Sequence, residues 1–187
     1  MRKYNGIVVF GEMGSGKDTF AELLCKLDSR CSIYNIGFLC REFMKISKVN
    51  PKWNDKRREL GQLIADKARE VDINIFNDYT YSNILEKNNF PIVVGGRIVS
   101  DYNYWKEKGF LAVGITVDYE ERVRRLCQRD KDFNIESMNH NTERNVKNII
   151  SNLCEVTIDN NLDLKNLQEL SANFHKDFIV CSLEGIK

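Results

Sequence analysis

The sequence predicts an α/β protein: a mostly parallel sheet of about five strands with helices covering both faces. Two observations carry that prediction. Short β-rich apolar runs alternate with helical patterns along the chain. No linker, repeat or low-complexity tract breaks the alternation, and only two prolines, Pro51 and Pro91, interrupt it. Strands separated by helices become parallel neighbours through crossovers that are nearly always right-handed. In such open sheets, ligands sit at the carboxyl ends of the strands.

Each element has its own signal. Ile7 to Phe10 is a buried strand, and Asp18 to Leu27 places Phe20, Ala21, Leu23, Leu24 and Leu27 at helical spacing. Ser32 to Ile36 reads as a strand, followed by a helix with Leu39, Phe43, Met44 and Ile46 on one side. Asp55 to Val71 is strongly helical, with Leu60, Leu63, Ile64, Ala68 and Val71 in register, and another helix covers Ile75 to Lys87. Pro91 to Val94 and Phe110 to Val117 are strands. Asp118 and Glu121 fit a capping box opening a helix from Tyr119 to Arg129. A polar stretch, Asp130 to Asn139, leads to a helix from Thr142 to Leu153, a strand from Glu155 to Ile158 and a helix from Leu164 to Phe174. The tail FIVCS is open to an edge strand. Tyr79, Tyr81, Tyr102, Tyr104 and Trp105 cluster mid-chain, with core and edge packing as the default and stacking on a base as the alternative.

The bulk numbers narrow the classes. A chain of 187 residues defaults to one domain with a real core. Apolar residues at 42% and charged residues at 29% are ordinary for a soluble globular protein. A net charge of +1 argues against a general nucleic-acid or membrane-surface binder. Cys25, Cys31, Cys40, Cys127, Cys154 and Cys181 form no C-x-x-C pair, so they read as free thiols in a reducing cytoplasm. The apolar run in MRKYNGIVVF is too short for a signal peptide, and no run reaches the length of a membrane span.

The chemistry concentrates in VVFGEMGSGKDTF. Gly11-Glu-Met-Gly14-Ser15-Gly16-Lys17 matches G-x-x-x-x-G-K between a predicted strand and a predicted helix, the context that makes the motif a phosphate-binding loop. Glycines let the backbone curl so that N–H groups converge as an anion nest. The helix N-terminus adds its positive end, and Lys17 adds a mobile charge for the terminal phosphates. Asp18 stands where Ser or Thr is usual. It is either a hard oxygen ligand for Mg²⁺ or a first-turn acid stabilising the helix dipole, with the Thr19 hydroxyl next door.

The GKDT ending resembles the loop of phage-type deoxynucleoside monophosphate kinases and related adenylate-kinase-like P-loop kinases. KRRELGQLIADKAREVDINIF is similar to that group's K-x-R-x-L…G…R-x-x-D helix, matching Arg58, Gly61, Arg69 and Asp72. GRIVSDYNYWKEKGF resembles its D-x-R-x-x-x-E segment, and RDKDFNIESMNHNTE its H-x-T-E stretch, matching His140, Thr142 and Glu143. TIDNNLDLKNLQEL is similar to its terminal strand, Asn-rich turn and helix. The resemblance implies a P-loop NTPase fold in a single kinase domain over 1–187, with an acceptor-binding helical region over 38–88 and a lid over 129–141. It implies ATP- and Mg²⁺-dependent phosphoryl transfer to a nucleoside or deoxynucleoside monophosphate, with no nucleic-acid or membrane partner. A homodimer is an open option. One position departs: Gly95 stands where the family has Asp, two residues before Arg97, while Asp101 keeps an acid where the family has Glu. That departure raises a second reading, a nucleotide-binding regulatory protein with weak or no turnover. A third is a P-loop kinase for another small phosphorylated metabolite.

Phosphoryl transfer requires two anions brought in line and their charge neutralised, a task for lysine and arginine. The resemblance and the predicted positions together assign Lys17, Arg97 and Arg129 to catalysis. Gly11, Gly14, Ser15, Gly16, Lys17, Asp18, Thr19, Arg125 and Arg129 fall to the nucleotide, and Asp18 to the metal. Arg41, Arg69, Arg97 and Asp101 fall to the acceptor. Arg122, Arg125 and Arg129 share one helical face. His140 is not needed as a base when the acceptor is already an anion, and is expected to bond within the lid or cap a helix. No N-K-x-D guanine-reading motif is present.

Overall fold

The computed structural model describes residues 4–45, 57–129, 133, 135, 138 and 141–183. In chain order these form β1 (Gly6–Gly11), α1 (Lys17–Leu27), β2 (Cys31–Asn35), α2 (Phe38–Met44), α3 (Arg57–Val71), α4 (Ile75–Leu85), β3 (Phe90–Val94), α5 (Val99–Glu107), β4 (Phe110–Thr116), α6 (Tyr119–Arg129), α7 (Asn141–Asn152), β5 (Val156–Asp159) and α8 (Leu164–Phe174). The chain divides into two compact units, 1–34 with 89–187, and 35–88.

In the first unit the strands lie in the order β2-β3-β1-β4-β5, a parallel sheet as the alternation of patterns predicts. β1 is central and buried at all six positions, because helices cover both of its faces. Its register sets Ile7 beside Ile92 and Leu111, and Val9 beside Val94 and Val113. Those residues point to one face, where Phe20, Leu24, Leu167 and Phe174 of α1 and α8 complete the core. Phe20 and Phe174 meet edge to face at 5.3 Å, an aromatic pair that adds ~0.5–1.5 kcal/mol beyond burial. The opposite face carries α5 and α7. A Cβ on Gly114 would lie 2.8 Å from Ile150 Cγ2, so the missing side chain lets α7 seat closely on β4.

Four local readings are corrected. Residues Val99–Glu107 form a helix that the sequence pattern did not reveal; Trp105 is fully buried there, 4.8 Å from Phe110. The tail is helical rather than an edge strand. α8 continues through a π-helical stretch, His175–Val180, into a last turn at Cys181–Leu183, because Ile179 and Leu183 are drawn into the core. The capping box at Asp118 does not form. Glu121 gives its carboxylate to Arg124 and Arg125, and the Asp118 amide donates instead to Asn161 Oδ1 at 2.7 Å. Finally, Leu63 and Val71, read as part of the apolar stripe of α3, are 56% and 84% exposed.

The second unit packs α2, α3 and α4. Gly61 allows α2 and α3 to approach, since a Cβ there would sit 2.5 Å from Met44 Sδ. Arg69 lies over the Phe76 ring at 5.4 Å, joining α3 to α4. The bounds of this unit, 35–88, fall beside the 38–88 region set apart in the sequence.

Candidate phosphate-binding site

The β1–α1 loop lies at the carboxyl end of the central strand, between neighbours β3 and β4, where the sheet order reverses direction. Gly14 and Gly16 adopt φ of 83° and 87°, the left-handed region that turns successive amides inward. The Ser15 amide donates to Glu12 O at 3.1 Å, and the Phe20 amide opens the helix ladder on Gly16 O at 2.9 Å. Ser15 is fully buried and its Oγ has no hydrogen-bond partner among the described residues. Lys17 is buried, with Nζ 3.4 Å from Asp18 Oδ2. Burial first, and the Arg97 charge second, hold the Lys17 ammonium below its ordinary pKa; Asp18 and Glu143 pull the other way. Asp18 is half exposed on the first turn of α1, beside half-buried Thr19.

A polar network surrounds the head of the loop. Glu143, on α7 and nearly fully buried, accepts from the Met13 amide and from Arg97 Nη1, both at 2.7 Å. Arg122, on α6 and equally buried, donates from Nε to Met13 O at 2.9 Å and pairs with Glu12 at 2.6 Å. The Met13 main chain is therefore held at its N–H from α7 and at its C=O from α6. Arg97 follows β3, and its own amide donates to Asp101 Oδ2 at 2.7 Å. Asp101 is fully buried at the start of α5 and also accepts from the Ile98 amide at 3.2 Å. On the other side of the loop, Asn160 Nδ2 donates to Ser15 O at 2.8 Å. Arg125 reaches Asn160 O at 2.7 Å and Leu162 O at 3.0 Å, tying α6 to the turn after β5.

Of the residues singled out in the sequence, this unit brings together Gly11, Gly14, Ser15, Gly16, Lys17, Asp18, Thr19, Arg97, Asp101 and Arg125. Arg129 is exposed at the far end of α6, and the lid expected over 129–141 lies mostly outside the described residues, as does His140. Arg41 and Arg69 belong to the second unit, where Arg41 is exposed on α2 and the Arg69 charge acts on the Cys40 thiol. The Arg58 side chain lies outside the described residues. Three contributors went unassigned in the sequence. Arg122 shares the face of Arg125, Glu143 sits in the H-x-T-E match, and Asn160 sits in the Asn-rich turn; each signal was present but carried no partner. Gly95 has φ of 94°, a conformation an Asp side chain adopts only under strain, so this turn is built for glycine.

A glycine-rich loop at the switch point of a parallel sheet, with buried lysine and convergent arginines, defines a P-loop, kinase-like α/β fold. The AAA domain family matches residues 7–147, and the chain belongs to that family. A UPF0200 protein of Thermoplasma volcanium is 25% identical over 140 residues, 74% of this chain and 74% of the relative. Among solved structures, shikimate kinase from Acinetobacter baumannii, in complex with shikimate, superposes with a TM-score of 0.57 at 14% identity, covering 97% of this chain and 95% of that one. A gluconokinase from Sinorhizobium meliloti 1021 superposes with a TM-score of 0.54 at 17% identity, covering 99% of each chain. No helix among the described residues is long and apolar enough to cross a membrane.

Proposed function

We propose that this protein transfers the γ-phosphoryl group of ATP to a small anionic acceptor, with a nucleoside or deoxynucleoside monophosphate as the first choice. The observation that carries the reading is that Glu143 bonds both the Met13 amide and Arg97 Nη1 at 2.7 Å, which sets Arg97 at the head of the loop that carries buried Lys17. Both positive groups then face the phosphoryl group in transit, while the loop amides and the start of α1 hold the rest of the polyphosphate. Asp101 acts through Arg97: it fixes the Arg97 main chain and leaves the acceptor to the guanidinium. Arg125 braces the turn after β5 beside Gly16 and contributes to the nucleotide side of the site. Arg41 and Arg69, in the second unit, are proposed acceptor-phosphate ligands, and Arg129 a ligand of the polyphosphate.

The donor set fits a magnesium nucleotide. Asp18 offers an exposed hard oxygen beside the loop, and the buried Ser15 Oγ is an unused polar atom within it. Magnesium, when bound with ATP, supplies charge neutralisation across the phosphates.

A second reading has its own support. The neighbours named above include kinases of shikimate and gluconate, and Gly95 removes the carboxylate that the resemblance leads one to expect after β3. Another small metabolite is then the acceptor. One assay separates the readings: purified protein with MgATP is offered a full panel of nucleoside monophosphates and a panel of hydroxy acids, sugars and their phosphates. Diphosphate formation from one monophosphate supports the first reading. Phosphorylation only in the second panel replaces it. ATP binding without any product supports a regulatory protein. Lys17→Met abolishes binding in all three cases; undiminished ATP affinity in that variant would remove the common basis.

A further inference from the structure

Glu143 makes two bonds that a carboxylate on a distant helix has no local reason to make. Its oxygens accept from the Met13 amide and from Arg97 Nη1, both at 2.7 Å, and Arg122 Nη2 stands 3.8 Å from Oε2. Arg122 Nη2 is buried and makes no hydrogen bond among the described residues. Two donors and one further positive group, from three separate parts of the chain, thus converge on one buried anion, and one of the donors is a main-chain N–H of the phosphate loop. Met13 precedes the Gly14–Lys17 stretch whose amides cradle the inner phosphates, so its amide is left for the outermost one.

We propose that Glu143 is a specificity-determining residue: an internal anion that occupies the place of a terminal phosphate oxygen and thereby ranks triphosphate against diphosphate. The inference rests on the phosphate-binding reading above. A diphosphate stops short of Met13 and Arg97 and binds with Glu143 in place. A triphosphate brings its outermost oxygens to the same donors and must displace the carboxylate, which it also repels. The network then serves two ends. It balances the charge of half-buried Arg97 and buried Arg122 while the site holds no nucleotide, and it holds down affinity for the triphosphate. Charge-assisted bonds of this kind are about twice as strong as neutral ones, so the competition is large enough to measure.

The alternative is a strut: Glu143 merely props the loop, and its loss weakens both nucleotides alike. The ratio of affinities separates the two. Dissociation constants of MgATP and MgADP are measured by calorimetry for the wild type, Glu143→Gln and Glu143→Asp, with thermal unfolding to confirm that each is folded. The amide of Gln still accepts from Met13 but cannot neutralise Arg97, so the expected result is a shift of the ATP-to-ADP affinity ratio towards ATP by about tenfold, the factor that ~1.4 kcal/mol carries. Asp keeps the charge but withdraws it by one methylene, and is expected to fall between. If Gln does not fold, the Asp ratio decides. An unchanged ratio in the folded variants, with the wild type binding both nucleotides, overturns the role of Glu143 and leaves the loop assignment standing. Failure of the wild type to bind either nucleotide overturns both.

Discussion

Gly16→Ala is the sharpest test of how the loop is built. Gly16 has φ of 87°, and a Cβ there would lie 2.4 Å from Asn160 Nδ2. Two costs follow. The left-handed backbone of an L-residue costs ~1–2 kcal/mol. Asn160 is buried and already committed to Ser15 O at 2.8 Å, so moving it leaves that carbonyl without its partner, at ~1–3 kcal/mol. The sum is about 2–5 kcal/mol, which for a chain of this size lowers Tm by roughly 4–20 °C. Gly14→Ala is the control. It carries the same backbone strain at φ of 83°, but its nearest contact is Leu126 Cγ at 3.1 Å and no hydrogen bond is broken. Its cost should therefore stay near ~1–2 kcal/mol. Urea and thermal unfolding of the two variants, with Asn160→Ala and the double variant, complete a cycle. The two changes at Gly16 and Asn160 should be strongly sub-additive, because each removes the same bond. Equal stability of the two glycine variants, or full additivity in the cycle, would refute the assignment of Asn160 as the clamp on the loop.

Other outcomes follow from the same structure. Gly95→Asp, which supplies the carboxylate the resemblance leads one to expect, should destabilise the protein by ~1–2 kcal/mol and add no turnover, because φ is 94° there; a gain in turnover measured by coupled assay would contradict this. The Asp28 carboxyl is held well below the usual carboxylate range, first by the Arg30 side chain and further by His175. Its folded pKa is lower than its unfolded value, so its contribution to stability is full above a pH of about 3.9 and is lost as pH falls below it. Asp28→Asn should flatten the acid limb of the Tm–pH curve. Burial pushes the Cys31 and Cys154 thiols up to about 12, whereas Cys127 and Cys181 are exposed. A thiol reagent at pH 8 should therefore label Cys127 and Cys181 rapidly and the other two only on unfolding, as read by mass spectrometry.

The sheet was legible in the sequence because its strands are short apolar runs with helical patterns between them, and β1 is apolar on both faces. The loop was legible because its glycines and Lys17 have fixed spacing. What escaped was decided by partners far away in the chain. α5 hides behind Tyr102, Tyr104 and Trp105, which favour strands until a core pocket claims Trp105. FIVCS has the composition of a strand, but Phe178 stacks on Phe174 at 4.8 Å and extends α8 instead. Glu121 had the right spacing for a cap and was taken by two arginines. In the site, Lys17 and Arg97 were readable from position. Arg122, Glu143 and Asn160 were not, since their meaning lies in the contacts of Glu12, Met13 and Ser15, more than a hundred residues upstream.

The connection from β2 to β3 has a further consequence. Adjacent parallel strands need only a crossover of about a dozen residues to return the chain to its starting end. Here that return is the whole second unit, residues 35–88. Most of its length is surplus to the sheet's needs and is free to vary as a cassette. Replacing it with another helical insert of similar end-to-end span would leave the strand order around β1 intact.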